Sequence, residues 1–356
     1  MKTANASHIR PGKLLLAGGI CALICFLGKS AFPETECTFS AQRAGFQIKF
    51  NDEISSYRVL GVFVLPGELL SLEAQGAGEH EDYILETSAG RVTRTQPNRW
   101  FWRAPREAGL YPITVFPAAI PDSVLQHRTS ASRQAHPAPP ISPAPPQNSV
   151  TLNVFVMVPF SQIEDECLKD FRIGRYPSKP LKGLSIYEPP GGFIEITEEN
   201  QETLIAPHFR IRQFLCKQEC GCPKYLVLRE RLLLKLERIL EEFNRRGYCC
   251  QTLHIMSGYR TPYYNKLIGN VAYSRHLWGG AVDFFIDEDP RDEMMDDLNG
   301  DGRINFKDAT ILSDIIEDIS QKPWYSRFPG GLGWYRKTAS HGPFVHVDVR
   351  GHRARW

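Results

Sequence analysis

The chain has 356 residues, 42% of them hydrophobic and 23% charged, and a formal net charge of +2. That is room for two domains of ordinary size, and the balance is that of a globular protein rather than a disordered one. The small net charge, with no long Lys/Arg run interleaved with aromatics, does not suggest a nucleic-acid binder.

Residues 1–36 differ in kind from the rest. Lys2, His8, Arg10 and Lys13 precede the nearly uncharged run Leu14 to Gly28. A basic stretch ahead of an apolar run of that length is the pattern of a signal peptide or N-terminal membrane anchor. The run is short for a full span, which needs roughly 20 apolar residues. The expectation is an exported protein of the periplasm or cell envelope, touching a membrane only through such an anchor. In that setting the cluster Cys216, Cys220 and Cys222 and the adjacent pair Cys249 and Cys250 favour disulfides.

Residues 37–160 read as all-β. Leu70-Ser71-Leu72-Glu73-Ala74 alternates apolar and polar, as a half-buried strand does. Trp100-Phe101-Trp102, Ile113-Thr114-Val115 and Val150 to Val158 add further strands. Short strands separated by turn signals suggest an immunoglobulin-like β-sandwich. A segment at 121–149 turns Pro-rich from His136 to Pro146, which favours extended polyproline conformation and reads as a long disordered loop between two strands.

Residues 161–356 carry a second domain. Lys224 to Arg246 has helical spacing at Leu226, Leu233, Leu236, Ile239, Leu240 and Phe243, with Gly247 as a stop. Three later stretches carry the chemistry. They are Ser257-Gly258-Tyr259-Arg260-Thr261-Pro262, then Ser274-Arg275-His276-Leu277-Trp278-Gly279-Gly280-Ala281-Val282-Asp283, then Phe344-Val345-His346-Val347-Asp348. A catalytic zinc ion takes three protein ligands from imidazole and carboxylate and keeps one position open. A tight turn at Gly279-Gly280 followed by a strand can bring His276 and Asp283 to one ion. Val282 to Ile286 reads as a buried strand with one acidic residue, and Asp is almost never buried unless paired or metal-bound. In Phe344 to Val349, His346 and Asp348 share a face because side chains two apart do so on a strand.

The composite S-x-H-x-x-G-x-A-x-D followed by H-V-D resembles the zinc peptidase superfamily of D-Ala-D-Ala carboxypeptidases, murein endopeptidases and the hedgehog signalling domain. S-G-Y-R-T-P and F-V-H-V-D-V-R look most like the murein endopeptidase branch. The resemblance covers roughly His208 to Trp356 and implies an α+β fold whose small antiparallel sheet bears the metal. It implies zinc on His276, Asp283 and His346, with Arg260 contacting substrate or a developing oxyanion. Tyr259, Arg260, Asn265 and Ser274 are then expected on the substrate side. The implied activity is metal-assisted hydrolysis of peptidoglycan stem peptides or their cross-links, as an endopeptidase or a carboxypeptidase.

Such hydrolysis needs a general base within hydrogen-bond reach of the attacking water. Many members of the superfamily place an acidic residue three positions before the last His, where this chain has Pro343, or a His two before, where it has Phe344. His341 and Asp348 are the remaining candidates. Asp348 could instead orient a ligand imidazole. The alternative is a zinc-containing cell-wall binding protein without catalysis.

An insert at 290–322 carries Asp297, Asn299, Asp301, Arg303 (through its carbonyl), Asn305 and Asp308 at the ligand positions of an EF-hand calcium loop. Asp308 replaces the usual terminal Glu, as in dockerin-type loops. The expectation is a structural calcium ion, with the helix that follows spaced on Ile311, Leu312, Ile315, Ile316 and Ile319.

Overall fold

A computed structural model of the chain describes residues 38–76, 82–118 and 148–356. Residues 1–37, where a signal peptide or anchor is expected, and the bulk of the Pro-rich segment lie outside the described residues.

Nine strands come first: β1 (Arg43–Phe50), β2 (Glu53–Tyr57), β3 (Val59–Val64), β4 (Leu69–Gln75), β5 (Tyr83–Thr87), β6 (Arg91–Gln96), β7 (Arg99–Arg103), β8 (Gly109–Pro117) and β9 (Val150–Val156). They form a five-stranded sheet in the order β2-β1-β4-β7-β6 and a four-stranded sheet in the order β3-β9-β8-β5. Alternation decides the first sheet. Phe46, Ile48 and Phe50 of β1, Leu70, Leu72 and Ala74 of β4, and Trp100 and Trp102 of β7 are buried, while Lys49, Ser71 and Phe101 face out. β8 and β9 pair antiparallel from Gly109↔Val156 to Val115↔Val150, so the Pro-rich segment joins two neighbouring strands.

The second sheet is buried more completely. β3 runs Val-Leu-Gly-Val-Phe-Val with five of its six residues buried, because its outer face is covered by the C-terminal half. At Gly61 any Cβ would lie 2.8 Å from the Cβ of Ile205, so only glycine allows that approach. The apolar core is therefore continuous from the first sheets into residues 161–356.

That second half opens on small sheets, of which Val158–Pro159, Gly192–Ile196 and Lys224–Leu226 make one. Helix α1 (Glu230–Arg245) follows. The apolar spacing from Lys224 thus spans a strand and a helix, because Tyr225 and Leu226 pair with Glu195 and Ile194 in a ladder. α1 bonds to the first half directly. Glu241 accepts from Arg43 Nη2 at 2.6 Å and from Tyr57 Oη at 2.8 Å, and Glu53 accepts from Arg231 Nε at 2.6 Å.

Glu230 Oε1 accepts the Phe63 N–H at 3.0 Å at the same junction. Burial pushes its carboxyl up to about 7, with Glu53 adding to the push. A folded pKa raised above the unfolded value means that the folded state holds the extra proton between pH ~4.5 and ~7, so stability falls as pH rises through that window. Glu230→Gln keeps the acceptor without the charge. It should leave stability unchanged near pH 4 and raise it by about 2 kcal/mol at pH 8, read from urea melts at the two pH values. Equal melts at both would refute the assignment.

The last sheet carries the candidate chemistry. Its strands are β10 (His254–Ser257), β11 (Ala281–Phe285), β12 (Gly331–Tyr335), β13 (Phe344–Asp348) and β14 (Ala354–Arg355), in the order β10-β11-β13-β12-β14. Helix α2 (Pro262–Leu267) leaves the loop after β10, and α3 (Phe306–Ser320) packs on β12 and β13.

Candidate metal centre

Two central strands and one turn build the site. Asp283 of β11 lies directly opposite His346 of β13 in the antiparallel register. All five residues of each strand are buried, which is why both read as apolar runs with one or two polar interruptions. His276 comes from a 3-10 turn, Arg275–Trp278, that ends on Gly279 at φ 60°. A side chain there would drive its Cβ to 2.2 Å from the Val227 carbonyl oxygen, so glycine alone closes the turn toward β11.

His276, Asp283 and His346 bring one donor atom each within 4.8 Å of one another, the one group of that kind among the described residues. Asp283 Oδ1 lies 2.7 Å from His346 Nδ1 and 3.3 Å from His276 Nε2. The other atoms of each ligand are occupied in ways that aim these three inward. His276 Nδ1 donates to the Gly258 carbonyl at 2.7 Å, which leaves Nε2 with its lone pair toward the site. Asp283 Oδ2 accepts from Arg260 Nη2 at 2.5 Å, and Arg260 Nε is steadied by Ser257 Oγ at 2.8 Å. His346 Nε2 faces Asp348 Oδ2 at 3.4 Å. Each imidazole is thus oriented by an acceptor on its far nitrogen, the arrangement that metal-binding histidines use. Two nitrogens and one oxygen that converge, with outer partners already placed, fit a zinc ion well.

The electrostatics agree. Burial lowers the His276 imidazole below its ordinary value. Burial pushes the Asp283 carboxyl up, but the two imidazoles override that and hold it well below the carboxylate range. For His346, burial pulls down while hydrogen bonds to Asp283 and Asp348 pull up and win.

The triad opens into a cleft of about 970 Å³. Arg260, His341, Tyr259 and Ser274 line it, so four of the residues expected on the chemical or substrate side meet there. Tyr259 is 1% exposed and its hydroxyl is within 3.0 Å of Tyr176 Oη, so it shapes the wall from within. Asn265 is not among the lining residues. It is 2% exposed and donates to the Val271 carbonyl at 2.9 Å, tying down the loop that leads to Ser274. Asp348 is fully buried, is not among the lining residues, and accepts from Gly331 N at 2.8 Å and from Arg350 Nη2 at 2.5 Å.

Several lining residues carried no sequence signal. Trp356 lies with its ring centroid 5.3 Å from that of His346 and 5.0 Å from the Arg350 guanidinium carbon. Gly331 and Gly333 make its berth, since a Cβ on either would fall within 2.7 Å of the indole. Two glycines spaced by two on a strand are the trace such a berth leaves in the sequence.

Two expectations find less here. Cys216, Cys220 and Cys222 are free thiols. In the loop Asp297–Asp308 two of the acidic side chains bond to the loop's own backbone: Asp297 Oδ2 accepts from Gly302 N at 2.6 Å, and Asp308 accepts from Leu298 N at 3.0 Å and Asn305 N at 2.8 Å, while Asp301 accepts from Lys307 Nζ at 3.3 Å.

With this geometry in hand, the comparison with known families is informative. A family model described as Peptidase M15 matches residues 207–302. The match includes Arg260, His276 and Asp283 and supports a metallopeptidase for this part of the chain. It stops before β13, so the third donor, His346, is supplied by the fold. No curated protein matches the chain.

Proposed function

We propose that the protein is a zinc-dependent peptidase acting on peptidoglycan stem peptides or their cross-links. The observation that carries the proposal is the convergence of His276 Nε2, Asp283 Oδ1 and His346 Nδ1, each with its outer partner in place, at the wall of an open cleft. A zinc ion held by them would polarise a carbonyl and make water more acidic. The chain's own residues do the rest. Arg260 holds Asp283 by its second oxygen. Gly258 O and Asp348 fix the imidazoles.

His341 is our choice of general base. Its ring lines the cleft, held by Nδ1 against the Gly342 carbonyl at 2.8 Å and edge-on to Phe344, which leaves Nε2 for water or substrate. His341→Ala should lower kcat by roughly a hundredfold to ten-thousandfold while metal content stays at the wild-type level. Full activity in that variant would move the role elsewhere.

Peptidoglycan as substrate and export as setting rest on the sequence resemblance, the family match and the basic-then-apolar N-terminus. Calcium at Asp297, Asn299, Asp301, Arg303, Asn305 and Asp308 belongs to the same proposal on spacing alone, as a structural ion. So does an immunoglobulin-like identity for the first two sheets. The decisive experiment digests purified muropeptides with the wild type and with His276→Ala, and identifies products by mass. Wild-type cleavage that is lost in the variant is the expected result. Metal retention without cleavage would establish a binding protein instead.

A further inference from the structure

The metal-bearing face of the last sheet lacks two side chains on β12. Ser257 of β10, Asp283 of β11, His346 of β13 and Gly333 of β12 stand opposite one another in register, and residues directly opposite point to one face. Gly333, and Gly331 two before it, have no side chain to place there. The indole of Trp356 takes the room. A Cβ on Gly331 would lie 2.7 Å from its Cη2, and one on Gly333 would lie 2.5 Å from its Nε1, so the ring lies along β12 over both glycines. Its neighbour on that face is the imidazole of His346, with ring centroids 5.3 Å apart.

The indole is held in place as well as exposed. Nε1 donates to Tyr335 Oη, and the Arg350 guanidinium carbon lies over the ring at 5.0 Å. The backbone leading to it is tied down as β14, where Ala354 pairs with Gly331 and Arg355 with Leu332, and Arg355 Nε donates to Glu317 Oε2 at 2.5 Å. Yet Trp356 is 48% exposed and lines the same cleft as the triad. A single exposed apolar residue on a surface is ordinary. One fixed beside a metal ligand has given up its rotamer freedom before any partner arrives, which is how a binding surface is preorganised. With Nε1 taken by Tyr335, the indole has only apolar ring to offer. Tyr335 and Phe344 continue that surface along the cleft, stacked at 4.5 Å with 10° between their planes. The other side of the triad, toward β10, is polar, with Arg260 bonded to Ser257.

We infer that Trp356 is a substrate-binding residue, the seat for an apolar face of the substrate on the β12 side of the metal. The inference rests on the peptidase reading and adds a contact to it. His346 adjoins both the metal position and the indole, so a substrate whose bond reaches the triad comes within contact of the ring. The chemistry recognised is a CH-rich surface laid against an aromatic face. That surface is either the aliphatic part of the peptide beside the cleaved bond or the ring face of a sugar attached to the peptide.

The test uses the full chain with zinc supplied and two probes: a soluble stem peptide, and the same peptide carried on its disaccharide. Acrylamide quenching of tryptophan fluorescence is followed as each probe is added to the wild type, Trp356→Phe, Trp356→Ala and Gly333→Ala. Bound probe should protect part of the wild-type fluorescence. That protection should be absent in Trp356→Phe, which keeps a ring and should bind within about threefold of wild type. Trp356→Ala should weaken binding and raise KM roughly tenfold, with zinc content unchanged and kcat nearly so. Gly333→Ala, whose new Cβ drives the indole from its berth, should do the same with the tryptophan still present. An effect on both probes assigns the contact to the peptide, and an effect confined to the disaccharide form assigns it to the sugar. Wild type that binds neither probe, or binds without protection, overturns the inference. So does a Trp356→Ala variant that loses zinc and kcat at unchanged KM, the pattern of a residue that only supports His346. The wild-type and phenylalanine series decide the matter even where the other variants do not fold. Trp356-dependent binding without cleavage would sink the peptidase reading alone; cleavage with KM and protection indifferent to Trp356 would sink this inference alone.

Discussion

Asp283→Ala should empty the metal site and lower peptide cleavage by roughly three orders of magnitude or more. The figure follows from removing several kcal/mol of Lewis-acid stabilisation, at about 1.4 kcal/mol per tenfold in rate. Asp283 supplies the one anionic donor, and its Oδ1 stands between the two imidazoles. Its second oxygen holds Arg260, whose side chain is 12% exposed. Removing the carboxylate therefore leaves a cation in a dry wall with only Ser257 Oγ beside it. Breaking a buried pair from one side costs about 3 kcal/mol or more, so the metal-free variant should also unfold at lower urea concentration than metal-free wild type. Asp283→Asn separates the two effects. It keeps shape and one acceptor oxygen, so it should recover much of the stability and little of the metal affinity. Metal content after gel filtration and urea melts in chelator are the measurements. A variant that still holds stoichiometric metal would remove Asp283 from the site.

Much of this centre was legible in the sequence because strands leave a simple trace. Val282 to Ile286 and Phe344 to Val349 are apolar runs interrupted by ligand-type residues, and a two-residue period places His346 and Asp348 on one face. Gly279-Gly280 marked the turn that returns His276 to β11. The limits were physical as well. Apolar spacing cannot separate Tyr225 and Leu226, held by a strand partner some thirty residues earlier, from the helix that starts at Glu230. Asn265 sits in a motif but is claimed by the backbone of Val271, a contact set by a loop conformation no local pattern encodes. Arg275 is a further case: its neighbours in sequence give no sign that its guanidinium lies over the Tyr187 ring at 4.8 Å with Nη1 donating to the Ile186 carbonyl at 2.9 Å.

Asp348 shares the face of His346, and its carboxylate is fully buried. Asp348→Ala should destabilise the protein by about 3–5 kcal/mol and weaken metal binding roughly tenfold to a hundredfold. The carboxylate is fully buried and accepts from Gly331 N, Arg350 N and the Arg350 guanidinium, while facing His346 Nε2 at 3.4 Å. Beneath it lies Lys235, fully buried, whose Nζ donates to the Asp348 carbonyl at 2.8 Å and whose ammonium burial pulls down to about 7. Without the carboxylate, Arg350 and Lys235 lose their compensating charge and His346 loses the acceptor that sets its orientation. The pH dependence has a definite sign. Burial pushes the Asp348 carboxyl up, yet His346 and Arg350 hold it well below its ordinary value. A depressed folded pKa contributes stability that is present above pH ~4 and lost as pH falls. The stability gap between wild type and Asp348→Ala should therefore be full at pH 7 and narrow steadily below pH ~4. A general base would behave otherwise: its loss would cut kcat with metal affinity and stability nearly intact, the pattern expected of His341→Ala. Finding that pattern in Asp348→Ala, by metal titration and urea melts beside the rate assay, would exchange the roles of the two residues.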